Sequence, residues 1–287
     1  MSANPEQLNI KESQTEVSHE TSLFAEPIAH VGSFTITNSL LTSWITVLIL
    51  VVFFVSIGRK MKQVPGKLQN VFEILLEEAL KLADSVTGAR KKTEKFLPIT
   101  LSLFLFILVN NWLGLLPGFG TIGFIEKAEG HSIFIPLLRG GTADLNTTLA
   151  ISLFAVVMSH IMGVVAIGAW HHLNKFINIK LIGEMAKKVW KEPMLLVVNP
   201  IKFFVGIIET IGELAKVASL SFRLFGNIFA GEVLLASMMA IFAYALPLPF
   251  IFLEIIVGLV QALVFAILTL DYQLRIMNYE LIRIQTL

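Results

Sequence analysis

Five ionisable residues, Glu209, Glu213, Lys216, Arg223 and Glu232, lie within the stretch ETIGELAKVASLSFRLFGNIFAGE of an otherwise apolar region. Hydrocarbon tolerates such groups badly. One Arg at the centre of a membrane helix costs from roughly 2.5–3.5 kcal/mol on insertion scales to about 10–17 kcal/mol in simulations. A guanidinium held there needs a partner, a wet cavity or a task. With Arg223 as zero on a helical wheel, Asn227 falls at about +40°, Ser219 at about −40°, Lys216 at about +20° and Glu209 at about +40°. Five polar residues thus share one stripe. Glu232 falls at about 180°, and Glu209 to Glu232 spans roughly 35 Å of ideal helix, close to one bilayer core. Groups spaced in this way suit ion transfer across a membrane.

A second apolar segment repeats the theme sparsely with Glu254 and Gln261, seven residues apart and so on one face. If the two segments form a hairpin turning near Phe242-Ala243, Arg223 comes level with Gln261 and Glu232 with Glu254. Two acids brought level repel unless hydrated or protonated, and a protonated one suits proton transfer. Internal salt bridging of Lys216 with Glu209 or Glu213 accounts for the lower part of the stripe. It leaves Arg223 without an acid of its own, which points to an acid in a partner. The other polar candidates are Asn110 and Asn111, either helix–helix glue or the lining of a wet cavity, and Asp144, which reads first as a helix N-cap. His160, alone inside a span, reads as hydrogen-bonded packing ahead of a proton relay.

The elements that must position these groups follow from the composition. The chain has 287 residues, is 55% hydrophobic and carries only 15% charged residues, with a mean hydropathy of +0.76. That is an all-α membrane protein rather than a soluble domain. The net charge of +1 gives no electrostatic case for nucleic acid. With no cysteine, thiolate metal sites, disulfides and Cys nucleophiles are excluded. The only paired histidines, His171-His172, are adjacent rather than four apart, so no metal site is expected. The N-terminus has neither a signal-peptide nor a transit-peptide pattern, which favours direct insertion into a bacterial inner membrane.

Residues 1–38 read as a polar tail with five glutamates and no more than local order, and 39–287 as the membrane domain. About five membrane helices are expected, over about 39–57, 96–116 and 146–170, then a long hairpin over about 197–243 and 249–280. The last two helices are much longer than a bilayer requires and must tilt strongly, kink or extend beyond it. An amphipathic surface helix is expected over about 70–84, where Glu73, Glu77, Lys81 and Asp84 line one face. Basic clusters at 58–62, 90–95 and 175–191 place the N-terminus outside and the C-terminus in the cytoplasm.

The run from Leu220 to Asn227, LSFRLFGN, with Ala230-Gly231-Glu232, resembles the signature of subunit a of the F-type ATP synthases. The resemblance continues in NWLGLLP (111–117), TADLN (142–146) and QALVFAILT (261–269), in order and over roughly residues 40–272. It implies a non-catalytic, proton-conducting stator subunit that faces the ring of subunit c, joined by the peripheral-stalk subunit b and the rest of the complex. No cofactor is implied. The residue matching Arg223 meets each ring carboxylate and blocks a leak between two offset half-channels. Asn227, Glu232, Glu254 and Gln261 match the outer access path or the rotor interface. Asp144, Asn110 and Asn111 match residues near the outer entrance, and Glu209, Lys216 and Ser219 positions on the cytoplasmic side. Some members carry His at one of the two Glu positions, whereas here both are Glu. A stand-alone secondary transporter, with Arg223 binding an anionic substrate, is the alternative, although inverted repeats and broken helices are not evident.

Overall fold

The computed structural model describes residues 17–18, 24–62, 66–116, 118–128, 131–168, 195–242 and 245–285. Among them are six α-helices: α1 (Asn38–Lys60), α2 (Lys67–Thr87), α3 (Arg90–Gly114), α4 (Leu145–Ile167), α5 (Leu195–Ile241) and α6 (Pro247–Gln285). Five are long and apolar enough to cross a membrane, over Asn38–Arg59, Arg90–Gly114, Leu145–Val165, Phe204–Ile241 and Pro247–Met277. The all-α membrane architecture expected from composition is therefore present. The basic cluster expected at 175–191 lies outside the described residues.

Short strands accompany the helices. Pro27–Val31 (β2) pairs antiparallel with Phe34–Thr37 (β3), just before α1. This hairpin occupies the end of the segment expected to hold only local order. Gly123–Ala128 (β4) and His131–Pro136 (β5) form a second antiparallel pair, which Val17–Ser18 (β1) joins in parallel. The Gly-rich loop after α3 therefore has regular structure that its composition did not announce.

The chain divides into two compact units: 1–65, 104–148 and 223–263 in the first, and 66–103, 149–222 and 264–287 in the second. In the first unit, α1 starts with Thr37 as N-cap, its side chain accepting from the Leu40 N–H at 3.3 Å. Asn38, Ser39, Thr42 and Thr46 are fully buried, so a polar stripe of α1 packs inward. Small and hydroxyl side chains let helices approach closely and satisfy themselves locally. Thr42 and Thr46 do this by donating to the carbonyls of Asn38 and Thr42, at 3.1 and 2.9 Å. The turn over Gly141–Ala143 docks here. A Cβ at Gly141 would lie 2.8 Å from both the Asn110 amide oxygen and the Ser43 hydroxyl.

The second unit is organised around Ala83, Phe96, Leu270 and Leu274, with Leu97, Met162 and Met277 packed against them. α2 is the amphipathic helix expected over 70–84, extended by about a turn at each end. It stops at Gly88, whose φ of 69° is left-handed and whose N–H bonds the Asp84 carbonyl at 2.8 Å. Beyond that turn Arg90 reaches back to Glu77 at 2.8 Å and Asp84 at 3.0 Å, and forward to Glu94 at 3.5 Å.

The Thr93 hydroxyl and the Arg90 guanidinium hold the Asp84 carboxyl below its ordinary value. A depressed folded value means that the contribution is complete above the unfolded value of about 3.9 and is lost as the pH falls through the folded one. The protection factors of the amides around Gly88, corrected for the intrinsic exchange rate at each pH, should accordingly fall in acid below about pH 4. Arg90→Ala should bring a few-fold acceleration already at neutral pH. Unchanged exchange in the variant would show that the helix cap alone holds this corner.

Candidate functional site

Arg223 is exposed on α5 in the middle of an apolar span. Among the described residues, no carboxylate lies within ion-pairing distance of it. Ala215, Ser219, Gly226, Asn227 and Ala230 are exposed as well, at spacings of three, four and seven that keep them on one side of the helix. Around the one cation the exposed surface is thus built largely of small and polar side chains. Larger apolar ones, such as Phe222, stand beside it. Small side chains permit another helix to approach closely.

In the first unit Asn227 donates to the Gln261 amide oxygen at 2.7 Å. Midpoint arithmetic had set Gln261 opposite Arg223. Since α5 ends at Ile241 and α6 begins at Pro247, the turn falls later than expected and Gln261 meets the residue one helical turn on. Glu254 is 7% exposed and its carboxyl stands against the Gly231 backbone, where a Cβ would run into it. Gly231 is therefore the clearance that lets a carboxyl group sit between α5 and α6.

Glu232 has a partner that sequence reasoning missed. Arg139, just after β5, is 6% exposed and donates to the carboxylate through Nε at 3.1 and 3.3 Å and through a terminal nitrogen at 2.8 Å. The same guanidinium donates to the Phe24 carbonyl at 3.3 Å. Planar two-point contact of this kind is the strong form of an Arg–carboxylate pair. It supplies the counter-charge that two acids on adjacent helices require. The available signal is faint: Arg139 and Lys127 are the two Lys or Arg residues of the Gly-rich loop over 118–142.

Both asparagines engage polypeptide, with the Asn110 Nδ2 left buried and without a hydrogen-bond partner among the described residues. Asn110, fully buried, accepts from the Gly141 N–H at 2.8 Å. Asn111 accepts from the Thr142 hydroxyl at 2.6 Å and donates to the Gly258 carbonyl at 3.1 Å. Trp112 adds a bond from its indole nitrogen to the Ile255 carbonyl at 3.2 Å. Asp144 caps α4, accepting from the Asn146 and Thr147 N–H groups at 3.3 and 3.2 Å and from the Thr147 hydroxyl at 2.9 Å. It also accepts from the Ala25 N–H at 3.2 Å.

In the second unit Lys216 engages Glu213 at 2.7 Å and stands 5.0 Å above the Tyr272 ring. His160 of α4 approaches the other Glu213 oxygen at 3.3 Å. Glu209 is half-buried one turn earlier, and Ser219 is exposed. Among the described residues no group of three or more metal-ligating side chains occurs.

Removing one member of a fully buried ion pair costs roughly 3–5 kcal/mol, because the other charge is left uncompensated. Glu232 is 31% exposed at its side chain, so water offsets part of that. Arg139→Ala should cost about 1–3 kcal/mol, read as a lower thermal midpoint of the purified protein, with Arg139→Lys falling between it and the parent. Gly231→Ala should displace the Glu254 carboxyl, detectable as a changed rate of carbodiimide labelling at Glu254.

The ATP synthase A chain family matches residues 40–273. ATP synthase subunit a of Syntrophobacter fumaroxidans is 31% identical over 242 residues, covering 84% of each chain. ATP synthase subunit a 1 of Syntrophotalea carbinolica is 32% identical over 230 residues, 80% of this chain and 81% of the relative. ATP synthase subunit a of Moorella thermoacetica is 29% identical over 245 residues, 85% of this chain and 93% of the relative. Matched over most of its length, with its exposed intramembrane Arg and the Asn227–Gln261 pair inside the matched region, the chain belongs to the ATP synthase A chain family.

Proposed function

We propose that this chain is the proton-conducting, non-catalytic stator subunit of a rotary ATP synthase, forming two offset half-channels against a ring of subunit c. It sits in the cell inner membrane as a multi-pass protein with its N-terminus outside and its C-terminus in the cytoplasm. Residues 1–38 form an extracytoplasmic tail and 39–287 the membrane domain. Its partners are the c ring, the peripheral-stalk subunit b and the remaining subunits.

The observation that carries this reading is the exposure of Arg223 among small side chains on an apolar helix. A guanidinium facing hydrocarbon is costly, whereas one facing a passing carboxylate is compensated. The mechanism follows from that charge. A proton from outside reaches the ring by way of Glu232, Glu254, Asn227 and Gln261 and neutralises a ring carboxyl, which can then enter lipid. On its return the site meets the inner path, lined by Glu209, Lys216 and Ser219, and loses its proton. Arg223 stabilises the ionised carboxylate only at the interface, so flow and rotation are tied together. Arg suits the role because it stays charged at any relevant pH. The membrane potential supplies about 2.3 kcal/mol per charge per 100 mV. Asn110, Asn111 and Asp144 act near the outer entrance by holding the loop and α4 in register.

Arg223→Ala should abolish coupled ATP synthesis while the subunit still copurifies with a small ring-forming hairpin protein. Arg223→Lys should retain a fraction of the activity at most. Intact ATP-driven pumping in Arg223→Ala would refute the proposal, and a chain that purifies alone and transports an anion would support the transporter alternative.

A further inference from the structure

We propose that His160, held by Glu213, is a proton-accepting station of the inner path. The proposal rests on the reading of the chain as a proton-conducting stator and adds a residue to it. Glu213 is nearly covered, its side chain 12% exposed, while those of His160 and Lys216 are 22% and 29% exposed. A carboxylate is thus enclosed by an ammonium and an imidazole, both of them partly exposed.

The stoichiometry of the cluster is what makes it a station and not merely a clamp. Lys216, 2.7 Å from one carboxylate oxygen, already provides the counter-charge of Glu213. Its position is fixed further by the Tyr272 ring at 5.0 Å. The imidazole on the second oxygen, at 3.3 Å, is therefore not required for neutrality. The cluster carries no net charge with a neutral ring and a single positive charge with imidazolium, and both states keep the contact to Glu213. Imidazole is also the side chain that exchanges protons between about pH 5 and 8. In the exchange, the unprotonated ring nitrogen takes a proton to give imidazolium beside Glu213, then returns to neutral by giving a proton to water. Each transfer exchanges one bond to hydrogen for another: an O–H bond of the protonated donor (water or a ring carboxyl) is replaced by the imidazolium N–H, and that N–H is then replaced by an O–H bond of the accepting water.

Glu213 precedes Arg223 by ten residues, about 15 Å of ideal helix, whereas Glu232 follows it. Under the proposed orientation the cluster therefore belongs to the cytoplasmic side. The other ionisable groups of the neighbouring elements are few. α5 brings Glu209, one turn before Glu213. α6 brings Tyr272 and Asp271, the latter engaged by Arg275 at 2.7 Å. Those of α3 lie in its first turns, from Arg90 to Lys95, and α4 has none besides His160.

The test is ATP-driven proton pumping by the assembled synthase in liposomes, with the pH on the catalytic-sector side varied across about pH 5–8 and the other side fixed. Rates are normalised to hydrolysis by the detached catalytic sector. His160→Gln should lower pumping several-fold and flatten its dependence on that pH, leaving the dependence on the opposite side unchanged. Glu213→Gln should keep a dependence but move its midpoint to a more acidic pH, since a protonated ring loses its counter-charge. A parent-like rate and profile in His160→Gln would overturn the proposal and leave a structural contact between α4 and α5. If His160→Gln does not assemble, an unmoved midpoint in Glu213→Gln overturns it instead. Arg223→Ala, run alongside, separates the two levels: pumping by that variant refutes the stator reading, while its silence beside a parent-like His160→Gln refutes only the His160 station.

Discussion

Charge in hydrocarbon is the constraint on which the rest of this structure depends. Each ionisable group in the spans has to be compensated, and the chain does this in different ways. Glu232 is compensated internally by a two-point contact from Arg139. Glu213 is compensated by Lys216 and approached by His160. Glu254 is held in a space cleared by Gly231. Arg223, in the middle of its span, has no carboxylate beside it among the described residues, and it is exposed. Under the proposed function that asymmetry is the mechanism: the missing counter-charge arrives with each ring site and leaves with it.

The polar groups around α1, α3 and the turn at Gly141 have a different task. Asn110, Asn111, Thr142 and Asp144 spend their hydrogen bonds on backbone groups and on one another. Buried amides and hydroxyls are costly when unengaged, and of these four residues Asn110 alone leaves a buried side-chain atom, its Nδ2, without a partner among the described residues. What they fix is the path of the polypeptide before α4, which contains Arg139. A side chain that meets the carboxylate two-point needs its backbone placed closely, and that explains why so much polar material is used near one loop.

Much of the architecture could be read from the chain itself. Apolar runs of spanning length and the amphipathic face of 70–84 both reflect local pattern, which acts within a few turns of helix. The stripe of Ser219, Arg223 and Asn227 was legible for the same reason, since helical period alone puts them on one face, and these three are exposed. The β-hairpins on either side of α1 and α3 were not legible. Their strands are short and pair with each other rather than displaying a long alternating pattern.

The sequence by itself determined membrane class, helix number, the family resemblance and the intramembrane Arg, because each depends on residue type and on spacing along one chain. The tertiary structure alone decided the partners. It moved Gln261 from Arg223 to Asn227, since a few residues in a turn shift the register of everything beyond it. It gave Glu232 to Arg139, 93 residues away, and turned His160 from a lone histidine into a neighbour of Glu213. Pairings at such separation depend on how loops and helices pack, and no periodicity along the chain encodes them.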